Sequence, residues 1–142
     1  MRRKLLIQIF ILTVAIVMVA GYLIYNKPHR NILDEEAQFS LSLVEMNEEF
    51  LVDEDAAYKK YFNQVVEISG TAVSIDEKAN KRFDVVLKSQ EIIANGELIS
   101  PDVQPAKLIE QEVLLKGLFI GYDNLLEEIK LSKCSIKQLS TD

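Results

Sequence analysis

The chain opens with an uninterrupted hydrophobic stretch that predicts a membrane-spanning helix over residues 1–25. Residues 5–25 include no charged side chain. A helix rises about 1.5 Å per residue, so this stretch spans roughly 30 Å, the thickness of the hydrocarbon core of a bilayer. Arg2, Arg3 and Lys4 precede it, and basic residues at this end favour a cytoplasmic N-terminus and an extracytoplasmic, periplasmic C-terminal domain.

A cleaved signal peptide has the same basic start and apolar run, and it stays an alternative. The run here is longer than the apolar region of a typical signal peptide, and no A-x-A cleavage site follows it. We therefore expect an uncleaved, single-pass anchor in a cell membrane.

The next region predicts two helices. Apolar residues recur at helical spacing over residues 31–51, and a second helix over residues 54–62 has Asp53 as its candidate N-cap. The first helix presents two apolar rows, formed by Ala37, Leu41, Val44 and Leu51 and by Phe39, Leu43, Met46 and Phe50. This wide face is expected to plug one end of the following domain, with a partner-binding or self-association surface as the alternative. Residues 26–62 are thus interpreted as a helical linker region.

Five later segments predict β-strands, because they are rich in β-branched residues or alternate apolar with polar ones. They cover residues 64–75, residues 82–88, a weaker strand within residues 91–99 that Asn95 and Gly96 interrupt, residues 112–122 and residues 127–136. The apolar phase changes at Gly70 in the first strand and near Ser132 and Lys133 in the last. Each change predicts a β-bulge.

The order of these elements predicts an all-β core with helices (α+β), in which a five-stranded OB-fold barrel follows two helices and a transmembrane helix. A short helix after Pro105 separates the third strand from the fourth, as in OB folds. Strands that bend at bulges are also what a small closed barrel requires. The barrel domain is assigned to residues 63–138 and a tail to residues 139–142.

Charge makes nucleic acid a poor candidate partner. Before Lys27 the only charged residues are Arg2, Arg3 and Lys4, so the part after Tyr25 has 22 acidic and 13 basic residues. A net negative field of this kind repels phosphate, on which most nucleic-acid affinity depends.

The sequence shows no constellation from which a catalytic or metal site is expected. His29 is the only histidine and has no metal-ligand partner nearby, and Cys134, the only cysteine, is expected to be buried and unreactive. Asp53, Glu54 and Asp55 have the charge to attract Ca²⁺, but they lack the calcium-binding loop, and helix capping explains them. No nucleophile elbow or phosphate-binding loop is visible. We expect no enzyme activity, no cofactor and no metal.

Several short motifs, taken in their order along the chain, resemble the tRNA_anti-like family of bacterial OB-fold proteins. They are Tyr25-Asn26-Lys27-Pro28-His29-Arg30-Asn31, Asp53-Glu54-x-Ala56, Lys60-Tyr61, Val65-Val66-Glu67-Ile68-Ser69-Gly70, Lys116-Gly117-x-Phe119-x-Gly121-Tyr122 and Leu131-x-x-Cys134-x-Ile136. The resemblance covers roughly residues 25–137 and implies an OB fold attached to a membrane of a bacterial envelope. It implies no activity, since the family name reflects fold likeness to anticodon-binding domains. The third strand departs from the family, because it lacks a cysteine-bearing motif that is common there.

The expected function is that of a membrane-anchored, extracytoplasmic OB-fold module that binds or interacts without catalysis. Lys81, Arg82 and Phe83 form a candidate ligand face, because OB folds bind on their second and third strands and the adjoining loops. The expected partners are the membrane and an envelope protein, and nucleic acid is not expected. The alternative is an OB domain that binds single-stranded nucleic acid or an oligosaccharide.

Overall fold

The computed structural model describes residues 2–26, 30–99 and 104–139 and divides the chain into two compact units, residues 1–30 and 31–142. The first unit contains helix α1 (Arg2–Tyr25). Within Arg3–Tyr25, an 18-residue window has a mean hydropathy of 2.5 and none of it is buried, so the helix is long and apolar enough to cross a membrane. The Thr13 hydroxyl donates to the carbonyl of Ile9 at 2.9 Å, which satisfies this polar group within the helix. A signal sequence would share these properties.

The second unit is a closed five-stranded β-barrel with one additional strand. The barrel strands are β2 (Val65–Lys78), β3 (Arg82–Ser89), β4 (Ile92–Leu98), β5 (Glu112–Asp123) and β6 (Glu128–Gln138). They are hydrogen-bonded in the order β2-β3-β4-β6-β5, and β5 closes the barrel by pairing with β2. Only the β4–β6 pair is parallel within the barrel. This connectivity is that of an OB fold and confirms the predicted fold class.

Strand β2 is shared between two sides of the barrel and therefore bends. Its first half pairs with β5 and its second half with β3. The bend is a β-bulge between Ala72 and Ser74, which shifts the register by one residue. The predicted change of phase at Gly70 is wrong: Gly70 and Ala72 stay on the buried side, and Val73 is exposed. The bulge is at Val73, three residues after Gly70. The pairing partner of β2 changes from β5 to β3 around Thr71, which pairs with both strands, and the bulge follows this change.

The predicted bulge in β6 is confirmed. Two residues of β6, Lys133 and Cys134, lie opposite the single residue Gly117 of β5. Lys133 has a φ of 51°, in the left-handed region, and this turns the buried side of the strand from Leu131 to Cys134.

The predicted interruption of the third strand at Asn95 and Gly96 is wrong. Strand β4 runs unbroken through both residues. Gly96 packs so closely on Cys134 that an added Cβ atom would lie 2.9 Å from its Sγ atom. The glycine is therefore present for close packing, not for a turn.

The predicted helix over residues 31–51 is wrong in its first part. Residues 39–42 form strand β1 (Phe39–Ser42), parallel to the first half of β2, and only α2 (Leu43–Val52) is helical. Ser42 starts α2 through a capping box: its hydroxyl accepts from the Glu45 backbone N–H at 3.2 Å, and its own backbone N–H donates to Glu45 at 2.7 Å. The bond from the Ser42 backbone N–H to the Glu45 carboxylate lowers the pKa of Glu45, and a bond from the Ser42 hydroxyl to the same carboxylate at 2.9 Å lowers it further.

The remaining short elements agree with expectation. Helix α3 (Glu54–Tyr61) has Asp53 as its N-cap, which accepts from the Ala56 backbone N–H at 3.0 Å, and α4 (Pro105–Leu108) lies between β4 and β5. Strand β2 continues to Lys78, three residues beyond the predicted end of the first strand, and a one-turn 3₁₀ helix, Ala79–Lys81, connects it to β3.

An aromatic cluster joins α2 and α3 to the barrel. The Phe50 ring stacks on Tyr122 with centroids 4.3 Å apart and contacts the rings of Tyr58, Tyr61 and Phe119 at 5.5–6.1 Å. Leu43 and Met46 of α2 are buried in the same core. The side chain of Asn47 is buried beside this cluster and accepts from the Tyr122 hydroxyl at 2.7 Å. Burial is the main cause of the raised pKa of Tyr122.

Candidate ligand-binding cleft

The outer face of β3, β4 and β6 contains a cleft of about 610 Å³. Its position corresponds to the surface that OB folds commonly use for ligands. The residues that line it are Asp76, Lys78, Asp84, Val86, Asn95, Gly96, Glu97, Ile120, Glu128, Lys130 and Leu131. Most of them alternate along their strands with the core residues, so one face of each strand builds the core and the other builds the cleft.

Carboxylates outnumber cations in the lining of the cleft, by four to two. Both cations are held by carboxylates: Lys78 contacts Asp84, and the Lys130 ammonium lies 3.7 Å from Glu128 and 3.9 Å from Asp123. The lining therefore has no unpaired cation to offer an anion. A cation or a hydrogen-bond donor is the better match to it.

Asn95 and Glu128 form the polar centre of the cleft. The amide nitrogen of Asn95 donates to Glu128, whose side chain is only 14% exposed. The amide oxygen of Asn95 is buried and has no hydrogen-bond partner among the described residues. Such an acceptor favours a ligand that brings an N–H or O–H group. Val86 and Ile120 add apolar surface next to this centre.

The residues predicted as a ligand face do not all face the cleft. Arg82 lies at the edge of the cleft and pairs with Glu97 at 2.9 Å. Phe83 is half-buried and packs against the core, on the same side of β3 as Val85 and Leu87. The side chain of Lys81 lies outside the part of the chain that the structure describes. A ligand contact by these residues stays a prediction.

The other chemically reactive residues do not converge on the cleft. Cys134 is buried beneath it, and burial raises the pKa of its thiol to about 12, so the sulfur is protonated and a poor nucleophile at neutral pH. Asp53 caps α3. His29 lies outside the described residues. Within the described ranges, no group of three or more His, Cys, Asp or Glu side chains is placed to hold a metal ion.

Sequence reasoning missed the carboxylates of the cleft, although the sequence contains a signal for them. Once Val85 and Leu87 are assigned to the core face of β3, Asp84 and Val86 must face outward. The same alternation turns Glu128 outward, since Ile129 faces the core, but only the parallel pairing of β6 with β4 brings Glu128 next to Asn95.

Two comparisons concern the sequence of the chain. The model of the family described as tRNA_anti-like matches residues 1–99, which is more than half of the chain. A search of curated proteins gives no match.

Comparison with solved structures gives similarities at low sequence identity. A lipoprotein from Klebsiella pneumoniae, for which nucleic-acid binding has been proposed, is similar with 13% identity and a TM-score of 0.55, over 79% of this chain and 100% of that one. A Leishmania major protein proposed to be an aspartyl-tRNA synthetase has 12% identity and a TM-score of 0.46, over 80% of this chain and 23% of its own. A chain of yeast Stn1 and Ten1 has 16% identity and a TM-score of 0.44, over 75% of this chain and 65% of its own. At such identities the first similarity indicates a shared fold and not a shared ligand.

Proposed function

The chain belongs to the tRNA_anti-like family, and from this premise we propose that it is a non-catalytic, membrane-anchored binding module. Its OB barrel binds a polypeptide, and not a nucleic acid, in the cleft on β3, β4 and β6. In this proposal α1 is the anchor, and the basic residues before it favour an orientation with the barrel outside the cytoplasm.

The lining of the cleft is the observation that carries this proposal. Single strands of nucleic acid are bound by a basic groove combined with exposed aromatic rings on which bases stack. The cleft has twice as many carboxylates as ammonium groups, and no aromatic side chain lines it. The nearest ring on β3, that of Phe83, packs against the core.

A polypeptide supplies the groups that this cleft lacks. Backbone N–H groups and basic side chains are donors for the amide oxygen of Asn95 and for the carboxylates. Apolar side chains match Val86 and Ile120. This combination of apolar surface and a few well-placed hydrogen-bond acceptors is common in sites that bind a ligand without reacting with it.

Absence of catalysis is proposed because the cleft contains neither a nucleophile nor a base oriented toward one. Its carboxylates are engaged mainly with lysine, arginine or asparagine, and the nearby Cys134 thiol is protonated.

Site-specific photo-crosslinking in intact cells tests the proposal. A photoreactive amino acid at Ile120, in the cleft, is expected to form a protease-sensitive adduct of defined mass. The same substitution at Val73, an aliphatic residue of similar exposure on β2, is expected to form none. An adduct that is destroyed by nuclease, or equal adducts from both positions, would contradict a polypeptide ligand in the cleft.

A further inference from the structure

Four aliphatic side chains are exposed where the end of α2 meets the turn between β5 and β6. They are Leu51 at 57%, Val52 at 87%, Leu125 at 96% and Leu126 at 61% exposure. We call these four residues the leucine surface. Isolated exposed leucines are ordinary, but a cluster of exposed aliphatics on ordered backbone is a common sign of an interaction site.

Contacts on both sides hold the two parts of the leucine surface together. Asn124 of the turn donates to Glu54 at 3.3 Å, and Asn47 of α2 donates to Glu127 of the turn at 3.2 Å. Leu51 and Val52 lie between Asn47 and Glu54 in sequence, and Leu125 and Leu126 lie between Asn124 and Glu127. These bonds bring the end of α2 and the turn next to each other, so the exposed aliphatics lie on two neighbouring elements, with Val52 toward the groove between α2 and α3.

The turn itself is a fixed structure. One carboxylate oxygen of Asp123 accepts from the backbone N–H groups of Leu125 and Leu126 at 3.1 and 3.3 Å. Glu127 has a φ of 47°, and its carbonyl accepts from the backbone N–H of Ile93 in β4 at 3.2 Å. Because these bonds already order the turn, a partner that covers it loses little conformational entropy of the loop on binding.

The surroundings of the leucine surface are strongly acidic. Residues 31–58 contain nine aspartates and glutamates and no lysine or arginine. Glu48, Asp53, Glu54 and Asp55 are exposed around the end of α2, and Asp123 and Glu127 flank the two leucines of the turn. Of the two lysines of α3, Lys60 is engaged by both carboxylate oxygens of Glu49 at 2.9 and 2.7 Å, and Lys59 is exposed.

We infer that the leucine surface is a docking site for a second polypeptide, distinct from the ligand of the cleft, whose apolar side chains are flanked by lysine or arginine. A basic amphipathic segment meets both features, because its apolar face covers the leucines and its cations face the carboxylates. A second copy of this chain fits poorly, since a two-fold contact would bring two acidic borders together. An anionic lipid surface is repelled by the same border.

Binding of a designed peptide tests the inference on the full chain in phosphatidylcholine nanodiscs. The probe is a fluorescent amphipathic peptide of leucine and lysine at helical spacing, and its control has glutamate in place of lysine. Saturable binding of the lysine peptide alone is expected. The double substitution Leu125→Ser and Leu126→Ser should weaken it about tenfold or more, whereas Val73→Ser, on β2, should leave it unchanged.

Charge reversal provides a second, independent variant. Glu48→Lys should weaken binding of the lysine peptide several-fold, and Glu112→Lys, at the opposite end of β5 from the turn, should not. The inference is overturned if wild type does not bind the lysine peptide, if the glutamate peptide binds equally well, or if the serine variant binds like wild type.

Since the chain contains no tryptophan, the fluorescence of a Leu126→Trp variant tests whether lipid, and not a polypeptide, covers the leucine surface. A blue-shifted emission in anionic nanodiscs without peptide would show that lipid covers the surface.

Discussion

Replacing Phe50 with alanine is expected to lower the free energy of unfolding of the barrel unit by about 4 kcal/mol. The ring is almost fully buried and contacts four other aromatic rings, among them Tyr122 in a stacked arrangement. Its loss removes buried apolar area, leaves a cavity, and ends the aromatic contacts that join α2 to β5. Chemical denaturation of the full chain in detergent micelles, followed by the near-ultraviolet circular dichroism of the tyrosines, measures the change.

Phe62→Ala is the matched control for this substitution. Phe62 follows α3, is more than half exposed, and among the described residues its one ring contact is with Tyr58, at a centroid distance of 6.3 Å. We expect its loss to change the free energy of unfolding by no more than about 0.5 kcal/mol. Equal effects of the two substitutions would mean that the aromatic cluster does not hold the helices on the barrel.

Gly117→Ala is expected to lower the free energy of unfolding by about 3 kcal/mol. An added Cβ atom at this position would lie 2.5 Å from the Sγ atom of Cys134 and 3.2 Å from the carbonyl oxygen of Ser132. Cys134 is fully buried at the bulge of β6, so neither atom moves away without disturbing the barrel. The same denaturation measurement applies.

Two further variants identify the cause of this effect. Gly121→Ala lies on the same strand, where the nearest atom to a new Cβ is the Tyr58 hydroxyl at an ordinary 3.5 Å, and should cost less than about 1 kcal/mol. In a Cys134→Ala background the cost of Gly117→Ala should fall by about 1 kcal/mol or more, because the closest obstructing atom is gone. If the losses of unfolding free energy from Gly117→Ala and Cys134→Ala simply add in the double variant, the Cys134 sulfur is not the cause of the destabilisation by Gly117→Ala.

The barrel was largely predictable because the pattern of apolar and polar residues within each strand indicates which side is buried. Alternation in β3 and β5 and the change of phase in β6 follow from which side chains the barrel buries, and this appears directly in the sequence. The bulge of β2 was misplaced because Ala72 and Val73 are both apolar, and only the exchange of neighbouring strands decides which of them is buried.

The region before α2 was mispredicted because two periodicities coincide there. Phe39 and Leu41 each fit one of the two helical rows, but they also alternate with Ser40 and Ser42 as the residues of a strand do. The pairing of β1 with β2 stabilises the strand conformation, and no local feature of the sequence indicates that pairing. The capping box of Ser42 and Glu45 is a local signal that marks the true start of the helix.

The candidate cleft was harder to predict than the fold. Its polar centre joins Asn95 of β4 to Glu128 of β6, which lie 33 residues apart and meet through a parallel pairing. The ligand face at Lys81, Arg82 and Phe83 stays a prediction, and the phase of β3 turns the Phe83 ring toward the core. The two parts of the leucine surface are likewise far apart in sequence, and they are joined by the bonds from Asn47 to Glu127 and from Asn124 to Glu54.

Titration with nucleic acid tests most directly the claim that this OB barrel is not a nucleic-acid-binding domain. The full chain in phosphatidylcholine nanodiscs is titrated into fluorescent single-stranded DNA and RNA at low salt, where phosphate contacts are strongest. We predict no saturable binding, and no difference between wild type and an Arg82→Glu variant. Saturable binding that weakens steeply as salt is added, and that Arg82→Glu abolishes, would contradict the account.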